Sequence, residues 1–175
     1  MSVNMDVRSA AEAMSGSAVG ENVAFAGVST DSRTVATGEL FFALRGDNFD
    51  GHQFIAAARE RGAAAAVVDV AGAEKANSAG LPLIVVSDTR LALGALAAHW
   101  RARFALPVIG VTGSNGKTTN KEMIACIMKA AFGETAVLST QGNLNNDIGL
   151  PLTLLKLNAQ HRAAVVEMGM NHPGE

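Results

Sequence analysis

The sequence predicts an α/β fold in two parts: a small N-terminal α/β domain over residues 1–87, then the start of a parallel-sheet domain over residues 88–175. Three observations predict it. Ala65-Ala66-Val67-Val68 and Leu83-Ile84-Val85-Val86 are unbroken apolar runs, the pattern of strands covered on both faces. Segments of helical period separate such runs along the whole chain. A glycine-rich turn ending in Gly116-Lys117-Thr118-Thr119 joins one apolar run to one helix.

In the first part, residues 24–29 read as a strand and Thr30-Asp31-Ser32-Arg33 as a polar turn. Residues 40–44 (Leu-Phe-Phe-Ala-Leu) read as a second strand closed by Arg45-Gly46-Asp47-Asn48. After Asp50-Gly51-His52, residues 53–61 read as a helix that His52 helps to open and Gly62 stops. Residues 71–80 are small and polar and read as a loop or a frayed helix. Ser87-Asp88 supplies a cap for a helix running to about Phe104, with Leu93, Leu96, Trp100 and Phe104 at helical spacing.

The second part is more regular. Residues 107–112 read as a buried strand, 117–132 as a helix, 136–139 as a strand, 148–157 as a helix and 163–168 as a strand. On the first of these helices Met123, Ile124, Ile127, Met128 and Ala131 are expected to form the apolar stripe. Strand–helix–strand–helix–strand requires parallel strands with helical crossovers. The last strand, left with no covering helix before Glu175, reads as part of a longer protein.

Composition narrows the function. Apolar residues make up 49% of the chain and charged residues 17%, which excludes a disordered or coiled-coil chain. Lys+Arg 14 against Asp+Glu 16 leaves a net charge of -2, with no basic footprint for nucleic acid. Tyr is absent and Trp occurs once, so binding is expected to rest on glycines and backbone amides rather than aromatic platforms. One cysteine, Cys126, excludes a disulfide framework or a Cys-rich zinc site. No run approaches the roughly 20 apolar residues of a membrane span, and no secretory leader is visible, so a cytoplasmic location is expected.

The chemistry gathers in the second part. Glycines in Gly110-Val111-Thr112-Gly113-Ser114-Asn115-Gly116-Lys117-Thr118-Thr119 let backbone N–H groups turn toward a polyphosphate at the positive end of a helix. Lys117 would meet the outer phosphates and the Thr118 hydroxyl a Mg²⁺ ion. The strict motif is not met, because Val111 stands at its first glycine position. Glu167, at the carboxyl end of the last strand, is the candidate carboxylate for that metal. Gly142-Asn143-Leu144-Asn145-Asn146-Asp147 follows the middle strand on the same sheet edge. Its amides suit phosphate or sugar oxygens, and equally an ordinary Asn/Gly turn. His172 carries the same ambiguity between a solvated loop residue and a site residue. Asp31, Ser32 and Arg33 read as turn chemistry with a surface ion pair. His99, His161 and Cys126 read as ordinary surface or core positions.

At these residues the chain resembles the Mur ligase family, from about Gly27 to Glu175. The likeness rests on Ser29-Thr30-Asp31-Ser32-Arg33, on residues 38–46 and on Asp50-Gly51-His52-Gln53-Phe54. It continues with the loop ending at Thr119, with residues 142–151 and with residues 167–175. The loop alone is shared with folylpolyglutamate synthetase. The Asn-rich segment and Glu167-Met168-Gly169-Met170-Asn171-His172 look like the member that adds D-alanyl-D-alanine. The first-half segments look like the UDP-binding domain shared with the ligase that adds the third peptide residue.

The resemblance implies an ATP-dependent amide ligase acting on UDP-MurNAc-tripeptide and D-alanyl-D-alanine in peptidoglycan precursor synthesis, with ATP and Mg²⁺. By that resemblance Gly113, Ser114, Asn115, Gly116, Lys117, Thr118 and Thr119 bind ATP, and Thr118 and Glu167 hold Mg²⁺. Asp31, Ser32 and Arg33 line the uridine-nucleotide site. Asn143, Asn145, Asn146 and His172 lie near the substrate. The family's remaining catalytic parts lie beyond Glu175, so these residues alone are expected to be inactive, and the protein to be a monomer. A non-catalytic nucleotide-binding module and the third-residue ligase remain as alternatives.

Overall fold

The computed structural model describes residues 3–46, 49–77 and 79–169. The chain separates into two compact units, Met1–Leu96 and Ala97–Glu175, and the division falls inside a helix.

The first unit begins with β1 (Asn4–Asp6), α1 (Val7–Ala13) and β2 (Ser17–Val19). Asp6 caps α1 by accepting from the Ser9 N–H at 2.9 Å. Beyond it come β3 (Ala24–Ala26), β4 (Val28–Ser29), β5 (Leu40–Phe42), β6 (Arg45–Gly46), β7 (Phe49–Asp50), α2 (Ile55–Glu60), β8 (Ala65–Asp69), α3 (Val70–Asn77) and β9 (Leu83–Val86). The main sheet has five strands in the order β2-β9-β8-β5-β4. Its strands run parallel except β2, which closes one edge antiparallel to β9. Leu40, Phe41, Phe42 and residues 65–68 are buried, as unbroken apolar runs in a parallel sheet should be. Phe41, Ile55, Ala58, Ala66, Val68 and Leu83 share one core cluster.

Two expectations for this unit need correction. Residues 24–29 are two strands, because Gly27 takes φ 109° and turns the chain between them. β3 pairs with β1, whereas β4 joins the main sheet. Of residues 71–80, read as a loop or a frayed helix, those up to Asn77 belong to a regular helix, α3, that begins at Val70. Its small composition has a packing cause: a Cβ on Gly72 would stand 2.0 Å from His52 Cδ2.

α4 (Thr89–Arg101) opens at the expected cap, with Asp88 Oδ1 accepting from the N–H groups of Arg90 and Leu91. The second unit continues with β10 (Val108–Val111), α5 (Lys117–Phe132), β11 (Val137–Ser139), α6 (Gly149–Leu154) and β12 (Ala163–Glu167). Its sheet is fully parallel in the order β10-β12-β11. Trp100 ties the α4 end to this unit through Nε1 donating to the Leu157 carbonyl at 3.0 Å.

The expected α5 stripe is rotated. Ile124, Ala125, Met128 and Phe132 pack onto Val137, Ala163 and Val165. Met123 and Ile127 are 54% and 67% exposed, and Ala131 is exposed too. Ala125 and the fully buried Lys121 occupy the centre of the inward face instead.

Phe41→Ala removes a fully buried ring from the first unit's core and should lower unfolding stability by about 3–5 kcal/mol. Denaturant titration followed by circular dichroism measures this.

Candidate nucleotide and metal site

Parallel strands deliver all their carboxyl ends to one edge, and in the second unit each end carries a predicted segment. β10 runs into the glycine-rich loop, β11 into the Asn-rich loop, and β12 ends at Glu167. Since β12 lies between the other two, Glu167 stands between both loops, with its Cα paired to Val111 of β10.

The loop from Thr112 to Gly116 turns through two glycines in the left-handed region, Gly113 at φ 137° and Gly116 at φ 72°. Gly116 is the N-cap of α5, so the first-turn N–H groups of that helix face the loop's mouth. Lys117 Nζ donates to the Gly113 carbonyl at 2.7 Å and so spans the loop it follows. Ser114, Asn115, Thr118 and Thr119 are exposed around it. Gly110, one residue before the position where the strict motif wants glycine, lies under the Met168 methyl, 2.5 Å from where a Cβ would stand.

The predicted amides divide their work. Asn145 Nδ2 donates to Glu167 Oε1 at 2.8 Å, and the Asn145 carbonyl accepts from the Gly169 N–H at 2.6 Å. Asn146 Oδ1 accepts from the Gly149 N–H at 2.8 Å and anchors the start of α6. Asn143 is exposed and holds the turn through its carbonyl, which accepts from the Asn145 N–H. A Cβ on Gly149 would fall 2.5 Å from Leu144 Cα, so the Asn-rich loop lies directly on α6. Thr112, Asn145, Asn146, Asp147, Leu150 and Met168 line a cavity of about 210 Å³ at this edge. His172 lies outside the described residues.

Glu167 is the least comfortable group of the unit. It is only 2% exposed, and its Oε2 is buried with no hydrogen-bond partner among the described residues. A buried carboxylate oxygen left unpaired carries a desolvation cost that a bound cation would remove. Its oxygen chemistry, with the exposed Thr118 hydroxyl in the first turn of α5, suits a hard ion such as Mg²⁺. Among the described residues no group of three or more His, Cys, Asp or Glu could hold a metal by itself. Such an ion would therefore take further ligands from phosphate oxygens and water.

In the first unit, Asp31 and Arg33 form an ion pair inside one turn, with Arg33 Nη2 2.6 Å from Asp31 Oδ2. The Arg33 side chain, and then its N–H, hold the Asp31 carboxyl down to about 2 from 3.8. Ser32 is half-buried beside them. The sequence reading missed a second cluster here. His52 is buried, with Nδ1 2.6 Å from Asp50 Oδ1 and Nε2 accepting from the Asp69 N–H at 3.1 Å. Arg45 closes it, with Nε donating to Asp69 at 2.5 Å and Nη1 to Asp50 at 2.9 Å. Asp50-Gly51-His52 was visible in the sequence as a helix opening, but nothing local announces Asp69.

Comparison with known proteins finds two family matches along the chain. Residues 24–101 match the profile described as Mur ligase family, catalytic domain, and residues 111–175 that of the Mur ligase middle domain. A UDP-N-acetylmuramoyl-tripeptide–D-alanyl-D-alanine ligase of Haemophilus influenzae is 47% identical over 156 residues, covering 89% of this chain and 33% of that protein. A MurF crystal structure from Acinetobacter baumannii superposes with TM-score 0.88 at 39% identity, over 99% of this chain and 38% of that one. The MurF ligase of Thermotoga maritima, solved with ADP, gives TM-score 0.69 at 33% identity, over 85% of this chain and 33% of that one. The chain thus spans about a third of the length of the curated relative it matches. Among the described residues no helix is long and apolar enough to cross a membrane.

Arg33→Gln should return the Asp31 carboxyl toward 3.8, which a carboxyl-carbon NMR titration reads directly. The sign follows from linkage: a carboxyl depressed in the folded state stabilises above its unfolded value, and that gain is lost as pH falls through about 2. Both groups meet solvent, so the stability difference between wild type and variant should be small, present at neutral pH and gone once acid has protonated Asp31 in both.

Proposed function

Because this chain belongs to the Mur ligase family, we propose that it supplies the UDP-sugar-binding and ATP-binding parts of a ligase that joins D-alanyl-D-alanine to UDP-MurNAc-tripeptide. One observation carries the reading: a buried, half-satisfied Glu167 stands on the strand beside the phosphate loop. Relatives and solved structures that the chain matches at 33–47% identity bear the name of that ligase, and one of those structures was solved with ADP.

In this reading the amides of residues 113–119 and Lys117 cradle the triphosphate. Thr118 and Glu167 hold Mg²⁺, which when bound neutralises charge on the phosphate oxygens. A carboxylate attacking a phosphoryl group brings like charges together, so the cations must already be in place. Lys117 suits that task because its ammonium is held at the loop by the Gly113 carbonyl. The tripeptide carboxylate takes the γ-phosphoryl group, ADP leaves, and the amine of D-alanyl-D-alanine displaces phosphate from the acyl phosphate. Asn145 keeps one Glu167 oxygen occupied, which would leave the other for a metal ion. Asp31, Ser32 and Arg33, in the first unit, would receive the uridine nucleotide. The domain division follows the same logic, with residues 1–87 for the UDP-sugar and the following residues for ATP. Work on a soluble nucleotide-linked substrate places the protein in the cytoplasm.

Phosphate release by the complete ligase, supplied with ATP, UDP-MurNAc-tripeptide and D-alanyl-D-alanine, tests the proposal. Lys117→Ala should lower that turnover by about 100-fold or more, as loss of a placed cation does, with uridine-nucleotide binding unchanged. Turnover that D-alanyl-D-alanine does not stimulate would refute the assigned acceptor. Equal loss of turnover and uridine-nucleotide binding would refute the division of labour.

A further inference from the structure

We propose that Lys121 is a positioning residue for this site: its buried ammonium fixes Thr140, and Thr140 fixes the backbone of Glu167. The inference rests on the reading of Glu167 as a metal carboxylate and adds to it a residue that neither the loop motif nor the Asn-rich segment contains.

Lys121 is 1% exposed, in the middle of the inward face of α5. Burying an ammonium costs several kcal/mol unless it is paired and hydrogen-bonded, and an apolar side chain would suit that face without the cost. Two partners meet it. Nζ donates to the Thr140 carbonyl at 2.9 Å and to the carboxylate of Glu122, which is itself largely exposed.

Thr140 is where the chain of contacts turns toward the site. It follows the last residue of β11, whose final pairing is Ser139 with Val165. Its N–H donates to the Val165 carbonyl at 3.1 Å, and its Oγ1 accepts from the Glu167 N–H at 2.9 Å. A side chain thus continues the sheet for one residue after the strand ends. On the other side of β12, the Met168 N–H donates to the Val111 carbonyl at 2.9 Å. The peptide carrying Glu167 is therefore gripped from both neighbouring strands, and the grip on the β11 side depends on Thr140. Thr140 is 1% exposed and its peptide has few ways to satisfy its carbonyl except through Lys121.

Removing the ammonium leaves that carbonyl buried and unpaired. Rotation of the peptide to recover a partner would move Oγ1 away from the Glu167 N–H and disturb the start of the Asn-rich loop. Lys121 does not touch the nucleotide, since its ammonium is sealed from solvent. Lys117, one turn earlier on the helix, is the lysine at the loop. Groups that orient a metal ligand through one intermediate contact typically change metal affinity by about 10–100-fold when removed.

The test is binding of a fluorescent ADP analogue to the full chain at increasing Mg²⁺. Lys121→Met and Thr140→Val should each raise the Mg²⁺ concentration for half-maximal binding about 10-fold, with binding in excess chelator unchanged. The double variant should shift no further than the larger single shift, because both cut the same chain of contacts. Thr140→Ser keeps Oγ1 and should behave as the wild type. Should Lys121→Met fail to fold, the contrast between Thr140→Val and Thr140→Ser, with Lys121→Arg as the charge-keeping substitution, decides the question.

Unshifted Mg²⁺ midpoints in folded variants overturn the proposal, as do additive shifts or equal loss of binding with and without Mg²⁺. Glu167→Gln separates the layers. If it raises the midpoint and the Lys121 and Thr140 variants do not, only the positioning role falls. If wild-type binding ignores Mg²⁺ and Glu167→Gln changes nothing, the metal reading falls and takes this proposal with it.

Discussion

The central place of β12 in the parallel sheet of the second unit is the constraint on which its site depends. Had β11 followed β10 in space as it does in sequence, Glu167 would stand at an outer edge, away from the glycine-rich loop. With the order β10-β12-β11, it lies between the two loops that the neighbouring strands feed. A parallel ladder also fixes how far each strand reaches. Val111 pairs with Glu167, so the carboxylate sits level with the residue from which the loop departs. Hydrogen-bond register, more than any single side chain, therefore sets the distance between the glycine-rich loop and the candidate metal ligand.

The two units treat charge in opposite ways. In the first, Arg45, Asp50, His52 and Asp69 satisfy one another around a buried imidazole, and the Arg45 guanidinium holds the Asp69 carboxyl below its usual range. Every strong group there has a partner from the chain itself, as a cluster that stabilises a fold requires. In the second unit Glu167 retains one buried oxygen that no described residue satisfies. A fold tolerates such a group only when something outside the chain completes it or when its cost is offset elsewhere. That contrast separates a structural ionic cluster from a candidate binding site more sharply than the residue types do, since both contain buried or half-buried carboxylates.

Local signals were legible in the sequence and long-range ones were not. The limits of α5 follow from Gly116 and Gly133 on either side of a helical pattern, and the loop before it from Gly113, Gly116, Lys117 and Thr118. Glu167 was visible because it terminates an apolar run. α1 was overlooked although Asp6 and the buried Val7, Ala10 and Ala11 mark it, because without a motif so short a pattern drew no weight. The break at Gly27 and the helix at residues 70–77 were illegible for another reason. The first needs two sheets to exist, and the second needs His52 to approach Gly72. Family resemblance, not composition, put Asn145 near the substrate, and its contact with Glu167 depends on strand order, which no local spacing encodes.

The rotation of α5 shows the same limit and gives it a physical meaning. Apolar periodicity picks out Met123 and Ile127, yet the fold leaves both exposed and turns Lys121 inward. Periodicity scores a lysine as surface, because its burial pays only when a specific acceptor waits for it, and Thr140 is brought to that place by β11. Rotating the helix to bury Met123 and Ile127 would take Lys121 from Thr140 and turn the first helical turn relative to the glycine-rich loop that enters it. The orientation of α5 is thus set at its loop end by backbone continuity and in its middle by one buried ammonium. Exposed apolar side chains are what that arrangement leaves over, and the helix accepts them because the groups it must aim lie at its other face.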